Sequence, residues 1–281
     1  MTTTSTPLDV DAYARDGIVF PAGAVDVSGF LERYHAFQAE SRRLRGKETW
    51  LKPHLVSTWL DELVRHPIIL NAVEAVIGPD IVLWESDWSV KRARTGDYVP
   101  WHQDSPYWNL STDDVVSVWL AIGDVSRENG AMEVVPGSHQ DGQIGEVDAD
   151  GKLFDAYTGG QRTTDPDCMF PFAHLDESYA ANAVPVELRA GEFSIHSVHL
   201  VHGGGPNPAD EDRVGFAMRF ISADTCYRGE VDSVTAVRGN CERAHFVFEP
   251  RPSGEFEAAD LAALEQALAY PSGFGEAKRL R

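Results

Sequence analysis

The chain has 281 residues, 43% of them hydrophobic, and a formal net charge of −20. That is enough apolar material for a packed core and argues against a disordered polymer. So acidic a chain offers no basic footprint for phosphates, which excludes nucleic acid as a partner; solubility accounts for the charge.

In chain order, residues 28–47 come first. Phe30, Leu31, Tyr34 and Phe37 recur there at three- and four-residue steps among charges, which predicts an amphipathic helix. A second helical stretch is expected over 58–76. Pro67 breaks it in two, and Gly78-Pro79 stops it. The texture then changes to short β-rich runs. These are expected at 81–91, 115–122, 131–135, 184–188, 192–202, 214–221 and 245–248, with Gly, Pro and Asn between them. That pattern reads as an all-β sandwich or barrel. Between them, 139–176 is long, polar and rich in Gly and Asp, and reads as an inserted surface loop or a lid. A short helix is expected at 258–269. No linker divides the chain, so one domain over 1–281 is expected: a helical flank (1–79), a β core (80–250) and a C-terminal extension (251–281).

Cys168, Cys226 and Cys241 form no CxxC pair, so neither a disulfide scaffold nor a zinc knuckle is indicated. A cytoplasmic location fits that usage. Residues 1–6 are polar and do not read as a signal peptide. No apolar run approaches membrane-spanning length.

Two remote segments carry the chemistry. One is Trp101-His102-Gln103-Asp104. The other is His202-Gly203-Gly204-Gly205-Pro206-Asn207, followed by Arg213. Two imidazoles and a carboxylate on one face of a metal form the donor set of non-haem Fe(II) oxygenases. A guanidinium beside them suits an acidic co-substrate, because it grips a carboxylate bidentately. Three HxD triplets occur: His102/Asp104, His139/Asp141 and His174/Asp176. The first is preferred. In a strand, residues i and i+2 share a face, and Pro100 favours extended backbone just before it. The second sits at a Pro-Gly turn and the third in the polar loop. If 192–202 is one strand, His196 and His202 share a face, with His199 on the other. His202 is then the ligand at the strand end, His196 a core or supporting histidine, and His199 structural or partly exposed. Arg213 opens the next strand. Arg219 shares its face and is the alternative for the carboxylate role, or a substrate contact. Gly215 and Ala217, on that same face, leave room for a ligand.

At these residues the chain resembles the phytanoyl-CoA dioxygenase family of Fe(II)/2-oxoglutarate-dependent oxygenases. The resemblance rests on Trp101 to Trp108, on Glu128-Asn129-Gly130-Ala131-Met132 with Val135 to His139, and on His202 to Asn207 with Arg213. It runs from about residue 52 to about residue 250. It implies a double-stranded β-helix, a jelly-roll or cupin-like barrel, with iron in its mouth. The ligands would be His102, Asp104 and His202. Arg213 would pair with the distal carboxylate of 2-oxoglutarate. Trp119 and Ser117 would line the co-substrate pocket, and Lys52 matches a family lysine near it. The reaction implied consumes O2, releases succinate and CO2, and hydroxylates a small organic molecule; desaturation and epoxidation are open variants. Related halogenases replace the carboxylate ligand with a small residue, and Asp104 argues against that outcome. Family members often carry a hydroxyl two residues after the distal histidine, where this chain has Gly204. Trp88, Tyr107, Trp108 and Arg219 are the expected substrate contacts. Two other functions fit the same barrel: a metal-dependent isomerase or hydrolase that does not use O2, and a non-catalytic small-ligand binder.

Overall fold

The computed structural model describes residues 7–270, apart from 109, 145, 148–152, 155–166, 170–174, 176, 229–230 and 243. Helix α1 (Val10–Asp16) leads into β1 (Ile18–Ala24). Three helices follow: α2 (Phe30–Arg45), α3 (Thr58–Val64) and α4 (Pro67–Ile77). Gly46 ends α2 in the left-handed region at φ 71°, which glycine enters without steric cost. Pro67 does not kink a continuous helix. It opens α4, where its missing N–H is no loss and His66 Nδ1 accepts from Ile68 N at 3.3 Å.

The β region comprises β2 (Ile81–Lys91), β3 (Val99–His102), β4 (Val115–Ala121), β5 (Glu133–Val134), β6 (Glu146–Val147), β7 (Leu153–Phe154), β8 (Val184–Pro185), β9 (Glu192–Ser197), β10 (His202–Gly204), β11 (Arg213–Ser222), β12 (Ser233–Arg238) and β13 (Val247–Phe248). A four-residue helix, α5 (Ser105–Trp108), follows β3, and α6 (Ala258–Ala269) ends the described chain. The larger sheet has the order β1-β9-β4-β11-β2-β12-β13 and the smaller β3-β10-β5-β8; β6 and β7 pair separately. Together they form the jelly-roll that the family resemblance implies.

Alternation along β11 shows how the sheet serves two faces. Phe216, Met218 and Phe220 join Leu60, Val64, Ile69, Val73 and Leu264 from the helices in the main core. Each such buried side chain contributes about 1.5–3 kcal/mol relative to exposure. Gly215, Ala217 and Arg219 turn the other way, into the barrel. There Ala217 and Trp119 pack with Val134, Val186 and Leu200.

The expected strand over 192–202 is two strands. β9 belongs to the large sheet and β10 to the small one. The chain turns between them, where Leu200 N donates to Ser197 O at 3.1 Å. The apolar run misled because both halves are buried, so nothing in it marks the change of sheet. The expectation of a loop or lid over 139–176 falls largely outside the described residues. Among the described residues no helix is long and apolar enough to cross a membrane.

Lys52 does not stand beside the metal segments. Its ammonium donates to Ser233 O at 3.0 Å and pairs with Glu249, and both side chains are buried. Glu249 also accepts from Ser233 Oγ at 2.7 Å and Thr235 Oγ1 at 2.6 Å. The proposed match to a co-substrate lysine is corrected on this ground: the charge is already spent tying the segment before α3 to β12. Burial pushes the Glu249 carboxyl up, but Lys52 and His54 outweigh it and hold it down to about 2. A depressed folded value stabilises the fold above the ordinary carboxylate pKa of about 4.3, and the gain is lost as pH falls towards the folded one. Glu249→Gln is expected to cost about 3 kcal/mol in urea unfolding near neutrality, because buried Lys52 loses its close partner and keeps only Glu85, at 4.0 Å. It should also flatten the loss of stability on acidification below about pH 4.

Candidate metal centre

β10 pairs antiparallel with β3, and His202 lies directly opposite His102. The two rings stand 4.1 Å apart. Asp104 sits one residue beyond Gln103, past the end of β3 and at the start of α5, so the HxD triplet does not lie wholly in a strand as expected. Its carboxylate still reaches back. Asp104 Oδ1 is 3.6 Å from His102 Nε2 and 3.9 Å from His202 Nε2. One ligand atom from each of the three lies within 4.8 Å of the others, and all three residues are buried.

The backbone decides which nitrogen faces the centre. His102 Nδ1 is 2.8 Å from Pro100 O, and His202 Nδ1 is 2.9 Å from Leu200 O. A carbonyl only accepts, so each Nδ1 carries a proton, and each Nε2 is left facing the space it shares with Asp104 Oδ1, where its lone pair could serve a metal. Burial, with the neighbouring imidazoles, pushes His202 down to about 3, which keeps it neutral. Asp104 is held below its ordinary value: burial opposes this, but His102 and His202 overcome it. Ser117 Oγ donates to Asp104 Oδ2 at 3.4 Å, leaving Oδ1 towards the histidines. Two imidazole nitrogens and a carboxylate oxygen, converging in a buried place, fit a divalent transition metal with open positions.

Gln103, between the two ligands in sequence, points the other way and is fully buried. Its Nε2 donates to Gly142 O at 2.9 Å and His199 O at 2.6 Å, and its Oε1 accepts from Ile144 N at 2.7 Å. This amide clamps the ligand segment from behind. Sequence reading passed over it; its one signal was an amide at the middle of an alternating triplet whose neighbours face inward.

His102, Asp104 and His202 open onto a cavity whose wall includes Ser117, Trp119, His196, Arg213 and Arg219. Arg213 is buried, and its Nε has no hydrogen-bond partner. Burial pushes its guanidinium down to about 10, so it is charged at neutral pH. It lies 5.0 Å from the Trp119 ring centroid, an attractive cation–π placement. Gly215 makes that placement possible. A Cβ there would fall 2.0 Å from Trp119 Cζ2, so only hydrogen leaves room for the indole.

Other expected residues fall elsewhere. Trp88 is not a substrate contact. It faces the helices, packed on Tyr34 at 4.7 Å and Phe216 at 4.9 Å. Trp108 is buried against Trp84 at 5.5 Å, away from the cavity wall. Both went inward with the core because their bulk is apolar. The Tyr107 side chain lies outside the described residues. Arg219 is in the wall but pairs with Asp87, so it is not a free alternative to Arg213. His196 is also in the wall, its ring 5.4 Å from that of His202 and its Nδ1 without a partner; burial pushes it down to about 4. His199 reaches Asp113 at 3.1 Å. Of the other triplets, His139 caps a turn by bonding Ala14 O at 3.1 Å. His174 and Asp176 lie outside the described residues.

Known proteins show the same arrangement of chain. A sequence model of the phytanoyl-CoA dioxygenase family matches residues 30–215. A probable alpha-ketoglutarate-dependent hypophosphite dioxygenase of Stutzerimonas stutzeri is 25% identical over 72% of this chain and 66% of its own. An L-proline trans-4-hydroxylase of Streptomyces griseoviridis is 31% identical over 32% of this chain and 35% of its own. These alignments thus span between about a third and two thirds of the curated relatives' length. The apo structure of the non-heme monooxygenase ThoJ is 28% identical, covers 96% of this chain and 99% of that one, and superposes with a TM-score of 0.77. Since the family match takes in well over half of the sequence, including both metal segments and Arg213, the chain belongs to the phytanoyl-CoA dioxygenase family.

Proposed function

We propose that this protein is an Fe(II)- and 2-oxoglutarate-dependent dioxygenase that hydroxylates an unactivated C–H bond of a small organic molecule, with succinate and CO2 as co-products. The observation that carries the reading is the meeting of two Nε2 lone pairs and Asp104 Oδ1 within 4.8 Å, at the wall of a cavity that also holds an unpartnered buried guanidinium.

His102, Asp104 and His202 would hold the iron, at the wall of the cavity. When bound, iron with 2-oxoglutarate and O2 supplies the oxidising chemistry that side chains cannot. The protein's own work is positional. The Pro100 and Leu200 carbonyls fix the imidazole tautomers, and Ser117 orients the carboxylate. Arg213 binds the distal carboxylate of 2-oxoglutarate by charge-assisted hydrogen bonds, and Trp119 holds the guanidinium in place from its face. Burial excludes water, which strengthens these interactions. The substrate of this reading is a small molecule. The hypophosphite and L-proline in the names of the two relatives are of that kind.

Reconstitution with Fe(II) and 2-oxoglutarate under nitrogen should give the weak visible charge-transfer band of the chelate. Asp104→Ala should lose it, together with O2-dependent succinate release; normal turnover in that variant would refute the metal assignment. Arg213→Ala is expected to raise the KM for 2-oxoglutarate by about 100-fold, the loss of a charge-assisted contact. An unchanged KM would take the carboxylate role away from this residue. Turnover that needs neither O2 nor 2-oxoglutarate would instead mark an isomerase or hydrolase. Failure to take up metal anaerobically would mark a binding barrel.

A further inference from the structure

Arg213 is not the only cation in the cavity wall. Lys91, the last residue of β2, is directly opposite it on the neighbouring strand. Its side chain is buried, only 2% exposed. Directly opposed residues hold their Cβ atoms about 4.5–5.5 Å apart, and like charges there repel. Neither charge is balanced by a close carboxylate among the described residues. Lys91 Nζ donates to the Gly205 carbonyl, a neutral group. Glu133 acts on it only from a distance and pairs with Arg127 at 3.3 Å. An ammonium has three donors, and one is accounted for.

The glycine after the distal histidine explains how the lysine reaches this place. A Cβ added at Gly204 would lie 2.9 Å from Lys91 Nζ and 2.8 Å from the Ala131 carbonyl. The ammonium therefore occupies the flank of position 204, where the family resemblance leads to the expectation of a hydroxyl.

We propose that Lys91 is a second co-substrate-binding residue, which with Arg213 cradles the distal carboxylate of 2-oxoglutarate in place of the hydroxyl missing at Gly204. This rests on the 2-oxoglutarate reading of the cavity and adds a residue to it. One carboxylate between two cations relieves their repulsion and fills donors that are otherwise idle. Burial and Arg213 push the free lysine down to about 7. Ligand binding therefore recruits a proton to it.

The test is an anaerobic titration of the Fe(II)-loaded full chain, following the visible band of the chelate. Two keto acids are compared: 2-oxoglutarate, and 2-oxopentanoate, which has a methyl group in place of the distal carboxylate. Lys91→Met should weaken 2-oxoglutarate about 10- to 100-fold and leave 2-oxopentanoate and Fe(II) affinity within about twofold. Equal losses for both keto acids, or no loss, overturn the assignment. The unaltered protein offers a second readout should that variant not fold. The groups facing Lys91 are Arg213, charged up to about pH 10, and Glu133, with His102, Asp104, His196, His202 and Arg219 in the same wall. The affinity ratio of 2-oxoglutarate to 2-oxopentanoate should fall by up to about tenfold per pH unit above the free lysine's value of about 7, since the metal site is common to both ligands. A ratio that stays flat overturns the proposal. If the unaltered protein shows no 2-oxoglutarate-dependent band, the co-substrate reading fails and Lys91 with it. A band that Lys91→Met leaves intact sinks the lysine alone.

Discussion

The antiparallel pairing of β10 with β3 governs the whole centre. It sets His202 across from His102, and both strands run on from carbonyls that fix the ring tautomers. A register slip of one residue would turn each imidazole to the other face of the small sheet. The pairing is short, so its register is held from outside. Val134 of β5 pairs with the other edge of β10 at His202, and Gln103 pins the ligand segment to 142–144 and to 199. The convergence of these side chains, in this fold, is a consequence of strand register.

The large sheet solves a different problem. It separates an apolar face, packed on helices, from a polar face inside the barrel. Charged groups on that inner face are either paired, as Arg219 is with Asp87, or left for a ligand, as Arg213 and Lys91 are. Burying charge is costly unless something neutralises it. A pair of buried cations without a protein anion is therefore a description of what binds, written in the negative of its charge.

The sequence made some of this legible and hid the rest for identifiable reasons. Helices α2, α3, α4 and α6 follow from apolar spacing, Pro67 and the stop glycines, all local signals. The long strands β2, β4 and β11 follow from β-branched runs. The metal triad was readable because His102 and Asp104 are two residues apart and His202 precedes a glycine run that marks a strand end. The split of 192–202 was not readable, since both pieces are buried and apolar. The roles of Trp88, Trp108 and Lys52 were misjudged because proximity in sequence, or likeness to a family position, says nothing about which side of a sheet a residue faces. Lys91 was missed for the complementary reason: its meaning comes from Arg213 and Gly204, neighbours brought to it only by strand pairing.

Trp119 and Gly215 lean on one another so closely that they act as a single unit. Enlarging the glycine evicts the indole, and the arginine loses the surface against which it lies. Shrinking the indole instead would open space beside the guanidinium. Redesign of this cavity must therefore trade volume between these two positions together.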